Sequence, residues 1–266
     1  MNFSHAELHL FPKNLLILKK GFTLAEVLIT LGIIAVVAAL TLASMIQKYQ
    51  EKVIVTQLKK QTNIMRQAII SAVEEYGTPD IWFNSDMTTQ EATEIFVKNV
   101  KPYLNVTRTC NSAYPGSASD KYCAYENSPF KGYISLFLAD GTVWYVSVNN
   151  PSCYYQWYYP YKLCAADGGG LVVDLNGKRG KNKSGYDIFN FYLTSDSSLG
   201  QYLWPEGNKH ITNGNQAQFP RDCRWDNPSS RLGKGCTAWV LINENMDYLH
   251  CPEKLGWNKA RSCKDN

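Results

Sequence analysis

Three residues at the start of a long apolar run have types and spacing that suit proteolytic maturation of the chain. Gly21 follows two lysines and precedes Phe22, and Glu26 is the only charged residue between Phe22 and Ile46. A carboxylate placed in lipid costs about 2.5–3.5 kcal/mol unless it is paired. Cleavage after Gly21 would create an α-amino group on Phe22, and that cation, on the same chain or the next, would compensate Glu26. Such a cut would therefore supply the acid with a counter-ion.

The same residues resemble the N-terminus of the type IV pilin and type II secretion pseudopilin superfamily. The matching stretch is Lys-Lys-Gly, followed by Phe-Thr-Leu-Ala-Glu and a long apolar helix. The resemblance implies that a prepilin peptidase cuts after Gly21, that Phe22 is then N-methylated, and that Glu26 acts in filament assembly. The partners it implies are the peptidase, other pilin or pseudopilin subunits, an inner-membrane assembly platform and the membrane lipid.

Two other interpretations of the apolar run are a cleaved secretory signal peptide and a plain single-span anchor. A signal peptide also combines lysines, an apolar core and small residues, and small residues suited to cleavage occur between Ala35 and Ala43. Neither alternative explains why glycine, phenylalanine and glutamate stand at these offsets.

A second candidate site is the glycine-rich stretch 174–187. Calcium binds about six to eight oxygens of carboxylates, amides and carbonyls on a bent loop, and the predicted ligands here are Asp174, Asn176 and Asp187. The stretch begins like an EF-hand loop but lacks the third acid and the final glutamate, and it carries several cations. The alternative is a tight connection between two strands, in which both aspartates accept backbone hydrogen bonds.

The sequence lacks the motifs of common enzyme classes. It contains no Gly-x-Ser-x-Gly elbow, no His-Glu-x-x-His and no phosphate-binding glycine loop. His250 precedes Cys251, but adjacency in sequence does not set the geometry of a Cys–His pair. We therefore predict that the protein is not an enzyme but the substrate of a processing enzyme.

Two further stretches have compositions that suit binding of a partner. The loop 153–164 holds six aromatic residues between two cysteines, and the other stretch contains Arg221, Arg224, Trp225, Arg231 and Lys234. The alternatives are rings folded back over the sheet and an ordinary solvated loop. The formal charge of only +4 argues against nucleic acid as a partner.

All eight cysteines lie in the region predicted to be extracytoplasmic, and an even count there indicates disulfides formed in an oxidising compartment. Eight cysteines allow about 105 pairings, but their spacing falls into four local pairs. The predicted bridges are Cys110–Cys123, Cys153–Cys164, Cys223–Cys236 and Cys251–Cys263.

The elements that must position these residues begin with a cytoplasmic leader, residues 1–21, and a long helix, residues 22–76. The first part of that helix, 22–46, is long enough to cross a bilayer. In its second part an apolar stripe recurs at helical spacing, formed by Ile54, Leu58, Met65, Ile69 and Val73. This stripe predicts packing against a globular head, residues 77–266.

The head is predicted to be α+β, with the long helix packed on an antiparallel sheet and with disulfide-pinned loops. A short helix is expected at Thr89–Val100, because Thr88 and Glu91 have the spacing of a capping box. Strands are expected at 133–138 and 142–148, joined by an Ala-Asp-Gly turn, and at 171–175, 188–193 and 238–242. The polar stretch 107–127 is expected to be a loop.

Three functions remain open on the sequence. The first is a filament subunit of the type II secretion or type IV pilus class, located in the bacterial inner membrane with its head outside the cytoplasm. The second is a membrane-anchored binding module that does not polymerise. The third is a minor pilin of DNA uptake, whose binding by the head would depend on salt.

Overall fold

The structure is a computed structural model that describes residues 21–111, 133–154, 162–165, 170–177, 179, 182–195, 202–207, 223 and 233–265. The chain divides into two compact units, Met1–Lys48 and Tyr49–Asn266. The boundary falls within one continuous helix, so each unit contains part of it.

The described part of the first unit consists mainly of the beginning of α1 (Leu24–Tyr76). All side chains described in this unit are exposed, and Phe22 is 87% exposed. By length and composition, α1 is capable of crossing a membrane. A helix that is apolar all round requires a non-aqueous environment on every side. The prediction of a long, largely apolar N-terminal helix is confirmed.

The second half of α1 packs into the core of the second unit through the predicted stripe. Leu58, Met65 and Ile69 are fully buried, while Ile54 and Val73 pack against the same core from partly buried positions. Since these residues are spaced by about one or two helical turns, they form one face of the helix. The polar side chains between them remain available for contacts at the edges of that face.

Two short helices follow α1. The first is α2 (Pro79–Trp82) and the second is α3 (Thr89–Val100). The hydroxyl of Thr88 accepts a hydrogen bond from the Glu91 N–H, and the Glu91 carboxylate accepts one from the Thr88 N–H, so the predicted capping box is present. This arrangement satisfies two N–H groups that the helix itself leaves unpaired.

Seven described strands form one antiparallel sheet. They are β1 (Val106–Asn111), β2 (Ile134–Leu138), β3 (Val143–Ser147), β4 (Leu163–Ala165), β5 (Gly170–Asp174), β6 (Ile188–Thr194) and β7 (Leu203–Pro205). Their order is β1-β2-β3-β5-β6-β4, and β7 also pairs with β6. β2 and β3 form the predicted hairpin.

One face of the sheet carries the main core of the second unit. A row of paired residues, Leu136, Trp144, Val173 and Phe189, crosses β2, β3, β5 and β6 on this face, and all four are fully buried. They belong to the same cluster as the stripe of α1. Alternate residues point to the other face, where a smaller cluster with Tyr145, Val172 and Ile188 is also buried.

Two of the predicted elements are wrong. Residues 238–242 lie not in a strand but in a helix, α4 (Cys236–Asn243), whose C-cap residue Glu244 has the left-handed conformation with φ of 55°. The predicted loop 107–127 begins with strand β1, which pairs with β2 through residue Asn111. Residues 112–127 lie outside the described part of the chain.

Three of the four predicted disulfides are present, namely Cys153–Cys164, Cys223–Cys236 and Cys251–Cys263. Cys110 is also disulfide-bonded, and its predicted partner Cys123 lies outside the described residues. The bridges pin the loops and the C-terminal segment of the second unit.

Candidate functional site

Glu26 caps the N-terminus of α1. Its Oε2 accepts hydrogen bonds from the Thr23 N–H at 2.8 Å and the Thr23 hydroxyl at 3.0 Å. In return, the Glu26 N–H donates to Thr23 Oγ1 at 3.2 Å. This is a reciprocal capping box at the first turn of the helix, and it holds the carboxylate against Thr23, the residue that follows the predicted new amino terminus at Phe22.

Gly21 and Phe22 precede the first turn of α1 and are both exposed. Space for a side chain exists at Gly21, since a Cβ atom there would meet no atom within 4 Å. The amide between Gly21 and Phe22 is therefore in an accessible segment next to the capped helix start. The roles of Gly21, Phe22 and Glu26 in processing and assembly stay predictions.

The second candidate site lies in the connection between β5 and β6. The Leu175 N–H donates to the Asp187 carbonyl at 3.0 Å, which brings the two ends of the connection side by side. The Asp187 carboxylate accepts hydrogen bonds from the N–H groups of Asn182 and Lys183 and from the Asn176 side-chain amide. Asp187 thus holds the turn together, as the alternative of a tight strand connection predicts.

Asp174 is the last residue of β5, where the connection begins, and it is 0% exposed. Its Oδ1 accepts hydrogen bonds from the N–H groups of Asn176 at 3.2 Å and Gly177 at 2.8 Å. Gly177 has a φ of 57°, and a Cβ atom there would lie 2.7 Å from the Gly141 carbonyl oxygen, so glycine is required for this turn. Burial, with a smaller contribution from Asp187, raises the pKa of Asp174 to about 7.

Among the described residues of this connection, Asp174 Oδ2 and Asn176 Oδ1 are buried and have no hydrogen-bond partner. Both are hard oxygen donors of the kind that calcium prefers, so two of the three predicted ligands fit a cation. Among the described residues, no group of three or more histidine, cysteine, aspartate or glutamate side chains is placed to hold a metal, so a cation here would take most of its ligands from carbonyls and water.

The raised pKa of Asp174 predicts a pH-dependent stability in the presence of a chelator. Because the folded chain binds this proton more tightly than the unfolded chain, the stabilisation is complete below pH 3.8 and is lost as the pH rises to about 7. Between pH 5 and pH 8, denaturant titration should therefore show a loss of about 1–3 kcal/mol in the free energy of unfolding. Asp174→Asn should reduce this loss, and equal pH responses of variant and parent would contradict the prediction.

Polar contacts that sequence reasoning missed hold the second half of α1 against the head. Lys60 Nζ lies 3.0 Å from Asp140 Oδ2, and Gln61 Nε2 donates to the same oxygen at 2.6 Å. The side-chain oxygen of Gln61, Oε1, also accepts a hydrogen bond from the indole N–H of the buried Trp144 at 3.4 Å. The only sequence signal was the Ala-Asp-Gly turn, which contains Asp140 but does not reveal its partners.

A further contact joins α1 to the C-terminal segment. His250 Nε2 lies 2.8 Å from Oε1 of the buried Glu51, so His250 contacts a carboxylate of the long helix. Cys251, which follows it, is bonded to Cys263. The pair Cys251–His250 therefore has no nucleophilic thiol.

Several predicted partner-binding residues lie outside the described part of the chain. They are residues 155–161 of the aromatic loop and Arg221, Arg224, Trp225 and Arg231 of the basic stretch. Tyr154, at the start of the aromatic loop, is exposed. The leader before Gly21 is likewise outside the described residues.

Two family models match the chain. Residues 18–42 match the prokaryotic N-terminal methylation motif, the prepilin-type signature of type IV pilins and pseudopilins. This match confirms the resemblance that was inferred from Gly21, Phe22 and Glu26. Residues 44–218, more than half of the chain, match the model of a family of unknown function, DUF6613. No curated protein and no solved structure matches the chain.

Proposed function

Since the chain belongs to the family of unknown function DUF6613 and its N-terminus carries the prokaryotic methylation motif, we propose that it is a pilin-like filament subunit of a type II secretion or type IV pilus system. Pilin-like subunits are in general structural proteins rather than enzymes. The observation that carries the proposal is a single carboxylate, Glu26, at the start of an exposed, apolar helix and five residues after Gly21.

Maturation begins with the chain in the inner membrane, its leader in the cytoplasm and its head outside. Two lysines before Gly21 support this orientation, because positive charges flanking a span favour the cytoplasmic side. The prepilin peptidase cuts after Gly21 and Phe22 is methylated. The disulfides of the second unit support an oxidising compartment for the head.

Assembly transfers the apolar part of α1 from lipid into a bundle of identical helices on the assembly platform. Its large side chains from Phe22 to Ile46 are exposed on this chain, so neighbouring subunits can replace lipid without a loss of apolar contact. Glu26 then meets the methylated amino group of Phe22 on a neighbour. A buried charge is tolerated when it is paired, so this pairing fixes the register between subunits.

The competing function is a membrane-anchored module that does not polymerise, and the mature N-terminus separates the two. We expect mass spectrometry of the chain from its native host to give residues 22–266 carrying one additional methyl group. Gly21→Leu should block cleavage, because the peptidase must accommodate the residue on the leader side of the scissile bond.

Gly32→Leu is the matched control for this experiment. Gly32 also lies in the exposed apolar run, and a Cβ atom there meets nothing within 4 Å. The control should be cut as efficiently as the parent. An intact leader on the parent chain would instead favour the anchored module.

A further inference from the structure

At the start of the connection between β5 and β6, only one of the two carboxylate oxygens of Asp174 has a hydrogen-bond partner. Asp174 is fully buried, and its Oδ1 is bonded to two backbone N–H groups. Its Oδ2 is buried without a hydrogen-bond partner. An unpaired charged oxygen in such a position costs several kcal/mol, so the fold gains from any group that binds it.

Asn176 presents a second oxygen of the same kind. Its side-chain N–H donates to Asp187 Oδ2 at 2.9 Å, while its Oδ1 is buried and has no hydrogen-bond partner. The backbone N–H of Asn176 is bonded to Asp174, so both side chains belong to one turn. Because the Asn176 side-chain nitrogen is bonded to Asp187, the side-chain oxygen of Asn176 is the atom left to bind another group.

We propose that this turn binds a hard divalent cation of the calcium class, with Asp174 and Asn176 as side-chain ligands and Asp187 as a positioning residue. Asp187 is assigned the positioning role because its two oxygens already accept three N–H donors. The remaining ligands are backbone carbonyls and water. With one carboxylate ligand, the site belongs to the weak extracellular class, with a Kd of about 10⁻⁴–10⁻³ M. This proposal does not depend on filament assembly.

Thermal unfolding of the full chain in detergent tests the proposal, with tryptophan fluorescence as the signal. All seven tryptophans lie after residue 80 and report on the second unit. At neutral pH, about 10 mM calcium chloride should raise the Tm by about 3–10 °C relative to a chelator, because a ligand of the folded state stabilises it. Asp174→Asn should remove this shift.

Three other variants complete the test. Asp140→Asn makes the same change in the neighbouring turn and should keep the calcium shift. Asn176→Ala should lose most of it, which keeps the test valid if Asp174→Asn does not fold. Asp187→Asn should raise the calcium concentration needed for half of the shift, whereas a merely structural role would lower the Tm without changing that concentration.

The proposal is overturned if the parent Tm is the same in calcium and in chelator. It is equally overturned if Asp174→Asn and Asn176→Ala both respond to calcium as the parent does. A shift confined to the parent and Asp140→Asn, together with a weakened calcium response in Asp187→Asn, supports the site as assigned.

Discussion

Replacing Glu26 by valine is expected to abolish incorporation into filaments while cleavage after Gly21 continues. The cleaved bond lies outside the capping box, so the peptidase still has its substrate. In the filament, however, the amino group of a neighbouring Phe22 would lose its counter-ion inside an apolar helix bundle. Breaking a buried ion pair costs about 3–5 kcal/mol, which corresponds to roughly a 10²–10⁴-fold loss of assembly. Sedimentation of sheared filaments from the native host measures this loss.

Two variants separate the charge of Glu26 from its other roles. Glu26→Gln keeps an oxygen that accepts the Thr23 N–H, so the helix cap is retained, but it removes the charge. It should therefore assemble almost as poorly as the valine variant. Thr30→Val removes a polar group from the same exposed helix without altering charge and should assemble normally. Normal assembly of Glu26→Gln would falsify the pairing mechanism and leave Glu26 with a capping role.

The parts of the fold that could be predicted are those specified by neighbouring residues. The capping box of Thr88 and Glu91 marks the start of α3, because its hydrogen bonds join residues three apart. The turn at Gly141, with φ of 90°, likewise marks the hairpin of β2 and β3. In each case, the signal and the structure involve the same few residues.

The mistaken prediction of a strand at 238–242 shows that the pattern of apolar residues does not always distinguish a strand from a helix. A short run of apolar residues is compatible with either a buried strand or a buried helix. Here Gly235 precedes the run and Glu244 closes it in the left-handed conformation. The surroundings decide the outcome, since Ala238 donates its N–H to the Glu206 carbonyl, a residue distant in the sequence.

Strands β1, β4 and β7 were missed because their own residues carry a weak strand signal. β1 is polar and half-buried, and β4 and β7 have only three residues each. β6 supplies the partner for both short strands. Short strands carry little propensity of their own, so cross-strand packing determines them.

The calcium prediction shows the same limit at the level of single atoms. The sequence located the oxygen-rich turn between Asp174 and Asp187. It could not indicate which side-chain oxygens would accept hydrogen bonds within the turn. The hydrogen bonds from the N–H groups of Asn182 and Lys183 to the Asp187 carboxylate form only when the turn folds. Only the folded structure shows that both carboxylate oxygens of Asp187 accept hydrogen bonds, whereas only one oxygen of Asp174 does.

Replacing Trp144 by alanine is expected to unfold much of the second unit. Trp144 is 0% exposed, lies in the middle of the sheet beside Leu136 and Val173, and has its ring 5.5 Å from that of Phe191. Loss of a buried tryptophan side chain costs about 3–5 kcal/mol, a large part of the stability of a typical domain. Denaturant titration of the full chain in detergent, followed by circular dichroism, measures the loss.

Trp144→Phe separates packing from the hydrogen bond that joins the sheet to α1. It keeps most of the buried ring but removes the indole N–H that Gln61 accepts, so the expected cost is about 1–2 kcal/mol. In the control, Ile242→Ala changes a residue that is 54% exposed and should cost less than about 0.5 kcal/mol. If Trp144→Ala were no more damaging than this control, the sheet would not depend on the tryptophan for its contact with α1. Since Gln61 also bonds to Asp140, the helix would then be held at the turn of the β2–β3 hairpin rather than through the core.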